Sequence, residues 1–141
     1  MADLLHEKLH LEVVTPEARV VSVDCDEVRA PGASGGFGVR PGHTPFITTL
    51  DPGVLTYVTA GKETLFALAG GFCEVAENRV TILADFAQLA ATIDRAAAVR
   101  EHDEAVRRMH ELQHKDEAAF RREAALVRRS AAKIAAARSR G

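Results

Sequence analysis

The sequence predicts a mainly β fold with an α-helical tail, a β-sandwich or barrel followed by a C-terminal antiparallel two-helix hairpin. Three observations carry this. Residues 8–83 break into short alternating or β-branched runs, separated roughly every eight to twelve residues by Gly, Pro, Asn or Asp. Beyond Asp85 neither glycine nor proline occurs until Gly141, and alanine, arginine and glutamate dominate, which is helical composition. Charge divides near the same place, with 6 basic and 12 acidic residues before Ile93 and 12 and 8 after it.

Taken in order, Leu9, Leu11 and Val13 alternate with Lys8, His10 and Glu12, the period of a strand with one buried face. Thr15-Pro16-Glu17-Ala18 ends that strand, Arg19–Val23 and Cys25–Ala30 are the next two, and Pro31-Gly32 closes the latter. Gly35 to Pro45 reads Gly-Gly-Phe-Gly-Val-Arg-Pro-Gly-His-Thr-Pro. Its glycines and prolines exclude helix, while Phe37 and Val39 share a face, so it predicts a glycine-rich loop, a short strand and a turn at Pro41-Gly42. Phe46–Leu50 is apolar and β-branched, and Asp51-Pro52-Gly53 predicts a type II turn before Val54–Thr59. Ala60-Gly61-Lys62 turns the chain into Thr64–Ala69, Gly70-Gly71 interrupts before Phe72–Ala76, and a hairpin turn at Glu77-Asn78 leads to Val80–Leu83, read as the last strand.

In the tail, Asp94 caps or charges the start of the first helix, and the apolar stripe lapses over His110–Lys115, the expected turn. Val99, Val106 and Met109 share one face of the first helix, and Phe120, Ala124, Val127, Ala131 and Ile134 one face of the second. Alanine-rich seams bury little apolar volume, so weak docking on the sandwich and a capacity to move are expected.

A chain of 141 residues accommodates one domain with an appendage. Cys25 and Cys73, the two cysteines, lie in strand-like runs and read as buried reduced thiols, which points to a reducing compartment. Met1–Glu7 carries acids and no long apolar run, so neither a signal peptide nor an anchor is expected. Gly32–Gly38 lacks the Gly-Lys-Ser/Thr ending of a phosphate loop. His43 is a candidate general base for a small hydrolase, but no nucleophile or carboxylate lies at a nominating spacing, and a turn histidine is the better reading. His110 and His114 stand four apart without a third ligand, so no metal site is expected. After Glu123 no acid follows, while Arg128, Arg129, Lys133, Arg138 and Arg140 do. These cations suit the helix C-terminus, an acidic protein partner, or a nucleic-acid-binding module; the last lacks aromatic interleaving and sits on an otherwise acidic molecule.

Gly38-Val39-Arg40-Pro41-Gly42-His43-Thr44-Pro45, Pro52-Gly53, Gly70–Val75 with Asn78, and Val80–Asp85, in this order and ahead of two helices, resemble the epsilon-subunit family of the bacterial F-type ATP synthase over nearly the whole chain. The resemblance implies a ten-stranded sandwich over residues 1–86 that binds the gamma subunit and the c-subunit ring, and a regulatory hairpin over 87–141. It implies a non-catalytic rotor subunit of the central stalk that couples proton-driven ring rotation to ATP synthesis. Such a subunit is peripheral to the cytoplasmic face of the bacterial inner membrane, associates with the membrane only through the complex, and has no nucleic-acid partner. Gly32, Gly35, Gly36, Phe37, Gly38, Arg40, Pro41, Gly42 and His43 would face the ring. Extended helices would meet the alpha and beta subunits and inhibit ATP hydrolysis, with Arg121, Arg122, Arg128 and Arg129 on acidic beta surface. Some members bind regulatory ATP through Ile/Leu-Asp-x-x-Arg-Ala; here Ile93–Ala98 carries Ala97 in place of the arginine. A nucleotide site would have to draw on Asp94, Arg95, Arg100 and Arg128, and no cofactor is expected.

Overall fold

Leu9, Leu11 and Val13 are fully buried and the residues between them are not, so alternation sets the first strand. The computed structural model describes residues 7–113 and 115–139. Its strands are β1 Leu9–Val14, β2 Arg19–Cys25, β3 Glu27–Gly32, β4 Gly35–Val39, β5 Phe46–Thr59, β6 Lys62–Ala76, β7 Arg79–Ala84 and β8 Ala87–Leu89; a 3-10 turn at Ala90–Thr92 leads to α1 Arg95–Leu112 and α2 Glu117–Ser139.

The strand order is β2-β1-β7-β6-β5-β3-β4, with β8 also on β6. β1 and β7 are parallel, and the other pairs antiparallel. β5 and β6 pair from Phe46↔Val75 to Thr59↔Lys62, but β7 joins only Gly71–Ala76 of β6 and β8 only Phe66–Leu68. Where those halves meet, Gly70 and Gly71 have φ of 109° and 144°, a conformation that side chains disfavour, and the sheet folds over on itself. One layer is therefore β2-β1-β7 with the far half of β6 and the near half of β5. The other is β4-β3 with the far half of β5, the near half of β6, and β8.

Two expectations change here. Among the described residues there are eight strands rather than ten, because β5 and β6 each serve both layers. Asp51-Pro52-Gly53 is not a reversing turn: the ladder passes from Leu50↔Gly71 to Pro52↔Ala69 in unbroken register, and the bend is shared with the two glycines opposite. The core lies between the layers, where Leu11, Val75 and Ile82 from one meet Val28, Val39, Leu55 and Leu68 from the other. Each such side chain contributes about 1.5–3 kcal/mol.

β8 carries the sheet past the expected boundary at Phe86, and Ala90 and Ile93 belong to the cluster beneath the helices. α2 lies on β5 and β6, and α1 lies on α2. The buried positions are Ala98 and Ala105 on α1 and Ser130, Ala132, Ala136 and Ala137 on α2, whereas Val99 and Ala131 are exposed. The seam is thus rotated from the expected stripes, because small residues let α2 settle close to Ala67 of the sheet. α1 runs on to Leu112, so His110 sits in its last turn rather than in the connection. His114 lies outside the described residues.

Candidate functional site

β4 ends the strand order and is an edge. Gly32 and Gly35 face each other across the two-residue turn Ala33-Ser34, and Gly35 has φ +124°. A Cβ on Gly32 would stand 2.7 Å from the Gly35 carbonyl oxygen and 2.9 Å from the Phe37 ring, so glycine is required there. At Gly36 and Gly38, both exposed, the nearest atoms to such a Cβ lie at 3.7 Å, and a side chain fits.

Phe37 packs edge-on against Phe46, centroids 5.2 Å apart, and Phe46 against His43 at 6.0 Å. The His43 N–H donates to the Arg40 carbonyl (3.1 Å) and closes a turn around Pro41 and Gly42. The Gly42 N–H donates to Asn78 Oδ1 (2.8 Å), which ties this turn to the β6–β7 hairpin. Arg40 donates to the Glu27 carboxylate at 3.2 Å. The His43 ring nitrogen Nδ1 donates to the Thr44 carbonyl at 2.7 Å, so its hydrogen bond serves the turn. The turns at 33–34 and 41–42 sit at opposite ends of β4, about 17 Å apart for five extended residues. The nine residues expected to face the ring therefore line one edge of the sandwich rather than one tip.

A second feature was missed from the sequence. On the outer face of the first layer Ile47, Phe72 and Leu83 are 60%, 42% and 53% exposed. The register sets Phe72 between Thr49 and Leu83, and Leu83 beside Val14, with exposed Val20 at the neighbouring bulge. The next row of this face carries Ile47, Glu74, Thr81 and Glu12. This is a continuous apolar row above acidic groups. The signal was available: in β7 the residues Val80, Ile82 and Ala84 face inward, so Leu83 is apolar at the solvent parity.

On α2, Arg121 is exposed and pairs with Glu117 (3.6 Å), and Arg122 and Arg128 are exposed. Arg129 instead lies over the Phe86 ring, 4.6 Å from its centroid. Arg108–Glu123 (2.8 Å) and Lys133–Glu101 (3.3 Å) pair the two helices. Those pairings put Arg128 level with the middle of α1, about ten residues or 15 Å along the axis from Asp94. Asp94 accepts from the Ala97 N–H (3.1 Å) as the helix cap, and Arg95 and Arg100 are exposed. The four residues named for a nucleotide are therefore not gathered at one point. Among the described residues no group of three His, Cys, Asp or Glu could hold a metal ion, and no helix is long and apolar enough to cross a membrane.

The family described as the ATP synthase delta/epsilon chain, beta-sandwich domain, matches residues 8–90. An ATP synthase epsilon chain from Anaeromyxobacter sp. (strain Fw109-5) is 52% identical over 129 residues, 92% of this chain and 97% of that protein. The chain belongs to the ATP synthase epsilon-chain family. The epsilon chain of Myxococcus xanthus is 47% identical over 92% of this chain and 95% of its own length. Among solved structures, a chain of the Euglena gracilis mitochondrial ATP synthase (OSCP/F1/c-ring) superposes with a TM-score of 0.72 at 21% identity, covering 89% of this chain and 78% of that one. A chain of the Tetrahymena thermophila central stalk/c-ring gives 0.55 at 16% identity, covering 91% and 97%. These two show the shared fold. As an epsilon-family chain, this protein is a non-catalytic accessory subunit of the membrane-associated ATP synthase, and a hydrolase role for His43 falls away.

Proposed function

We propose that this epsilon-family chain works in the central stalk, held by gamma on the apolar face of Ile47, Phe72 and Leu83 and set against the c ring along its β4 edge. It transmits rotation driven by proton flow, at the cytoplasmic face of the bacterial inner membrane, and is held there only through the complex. The observation that carries this reading is the difference between the two outer faces of the sandwich. α2 covers one of them, while the other presents large apolar side chains to solvent. Substituting Leu83→Glu should cut recovery of gamma with the purified chain by about tenfold or more, the worth of one buried leucine. Undiminished recovery of gamma and the c ring would remove this face from the interface.

The cations Arg121, Arg122, Arg128 and Arg129 support a second role, inhibition of ATP hydrolysis when the helices leave the sandwich and meet acidic surface on beta beside alpha. Ala97, and the distance of Arg128 from Asp94, support regulation without bound ATP. Millimolar ATP should then leave the melting temperature of the isolated chain unchanged, and a rise would overturn this point.

A further inference from the structure

Phe86 lies between β7 and β8, and its carbonyl accepts from the Ala69 N–H at 3.2 Å, which anchors its backbone to the sandwich. Its ring belongs to the cluster under α2. Two cations one helical turn apart close on that single ring: the Arg129 guanidinium carbon at 4.6 Å and Lys133 Nζ at 5.5 Å from the centroid. Lys133 also donates to Glu101 of α1 at 3.3 Å, so one chain of contacts joins sandwich, α2 and α1. Apart from Ile93 the buried members of this cluster are alanines, whose small side chains bring little area to the interface, and Phe86 is the aromatic among the half-buried side chains packed on it, with Val54, Leu65 and Ile134. We propose that Phe86 is the latch of the docked hairpin, and that closing it withdraws Arg129 and Lys133 from the basic face of α2. Docking on the sandwich and engaging an acidic partner then compete for the same two cations. The competing half of this statement rests on the inhibitory reading above; the latch itself does not.

The test separates the two. In the full-length chain, spin labels at exposed Glu77 and Ala118 report the distance between sandwich and α2. Phe86→Leu keeps apolar bulk but removes the aromatic face, and should raise the undocked fraction about tenfold, whereas Phe86→Tyr should leave it near wild type. Arg129→Gln, which spares the sandwich, should act like Phe86→Leu and covers the case in which the latter folds poorly. An unchanged distance distribution in both Phe86→Leu and Arg129→Gln overturns the latch. In the assembled synthase Phe86→Leu should lower ATP hydrolysis. If docking loosens yet hydrolysis does not fall, the latch stands and the inhibitory reading fails.

Discussion

At Gly71 a Cβ would collide with the Leu83 carbonyl oxygen and lie 2.9 Å from Ala84 Cα, at φ +144°. Gly71→Ala should therefore destabilise the fold by about 3 kcal/mol or more, read as a lower denaturant midpoint. Gly36→Leu, at a site with room for a side chain, should stay within about 0.5 kcal/mol of wild type while uncoupling rotation from proton flow. Intact coupling would take Gly36 out of the ring-facing edge. The cysteines behave as the sequence suggested, both free and fully buried. Burial, with Asp26 beside Cys25 and Glu74 beside Cys73, pushes each thiol from 9.0 up to about 11. The unfolded chain releases these protons near pH 9 and the folded chain only near 11, so the unfolded state binds fewer protons in between. Their stabilisation is whole below pH 9 and is lost as pH rises through 11, and the denaturant midpoint should fall across that window.

At the scale of elements, helix starts were more legible than helix faces. Asp94 caps α1 as its position in the sequence implied, and Asp94→Ala should cost about 1 kcal/mol, seen as faster hydrogen exchange in the first turn of α1 with the sandwich unaffected. Asp116 does the same for α2, accepting from the Ala119 N–H at 3.0 Å. The faces were misread because apolar periodicity weights valine and phenylalanine, whereas close approach to a sheet selects alanine; hence Ala136 is buried and Val99 is not. Asp51-Pro52-Gly53 and Gly70-Gly71 looked like two separate breaks. They are one bend, visible only once β5 and β6 are paired, since residues 17 to 21 apart must be set side by side to see it.

For the whole molecule, truncation gives the sharpest contrast. Ending the chain after Ile93 keeps β8 and the turn that follows it, so the sandwich should fold, ATP synthesis should persist and ATP hydrolysis should rise severalfold. Unchanged hydrolysis would remove the inhibitory role and leave coupling intact. Ending it after Asp85 also strips β8 from Phe66–Leu68, and should lower the denaturant midpoint of the sandwich as well.

What the sequence determined by itself is local. Alternation, turn chemistry and a change of composition at Asp85 set the strands, the hairpin and the glycine-rich stretch from Gly35 to Pro45, and motif order was enough to suggest the family. Tertiary structure decided whatever depends on distant segments meeting: the folding of β5 and β6 into two layers, the apolar face of Ile47, Phe72 and Leu83, and the capture of Arg129 by Phe86. The reason is that solvent exposure belongs to a face rather than to a residue. Alternation puts Leu83 at the solvent-facing parity of its strand, but only pairing with Phe72 and Val14 on an uncovered layer joins it into an apolar surface.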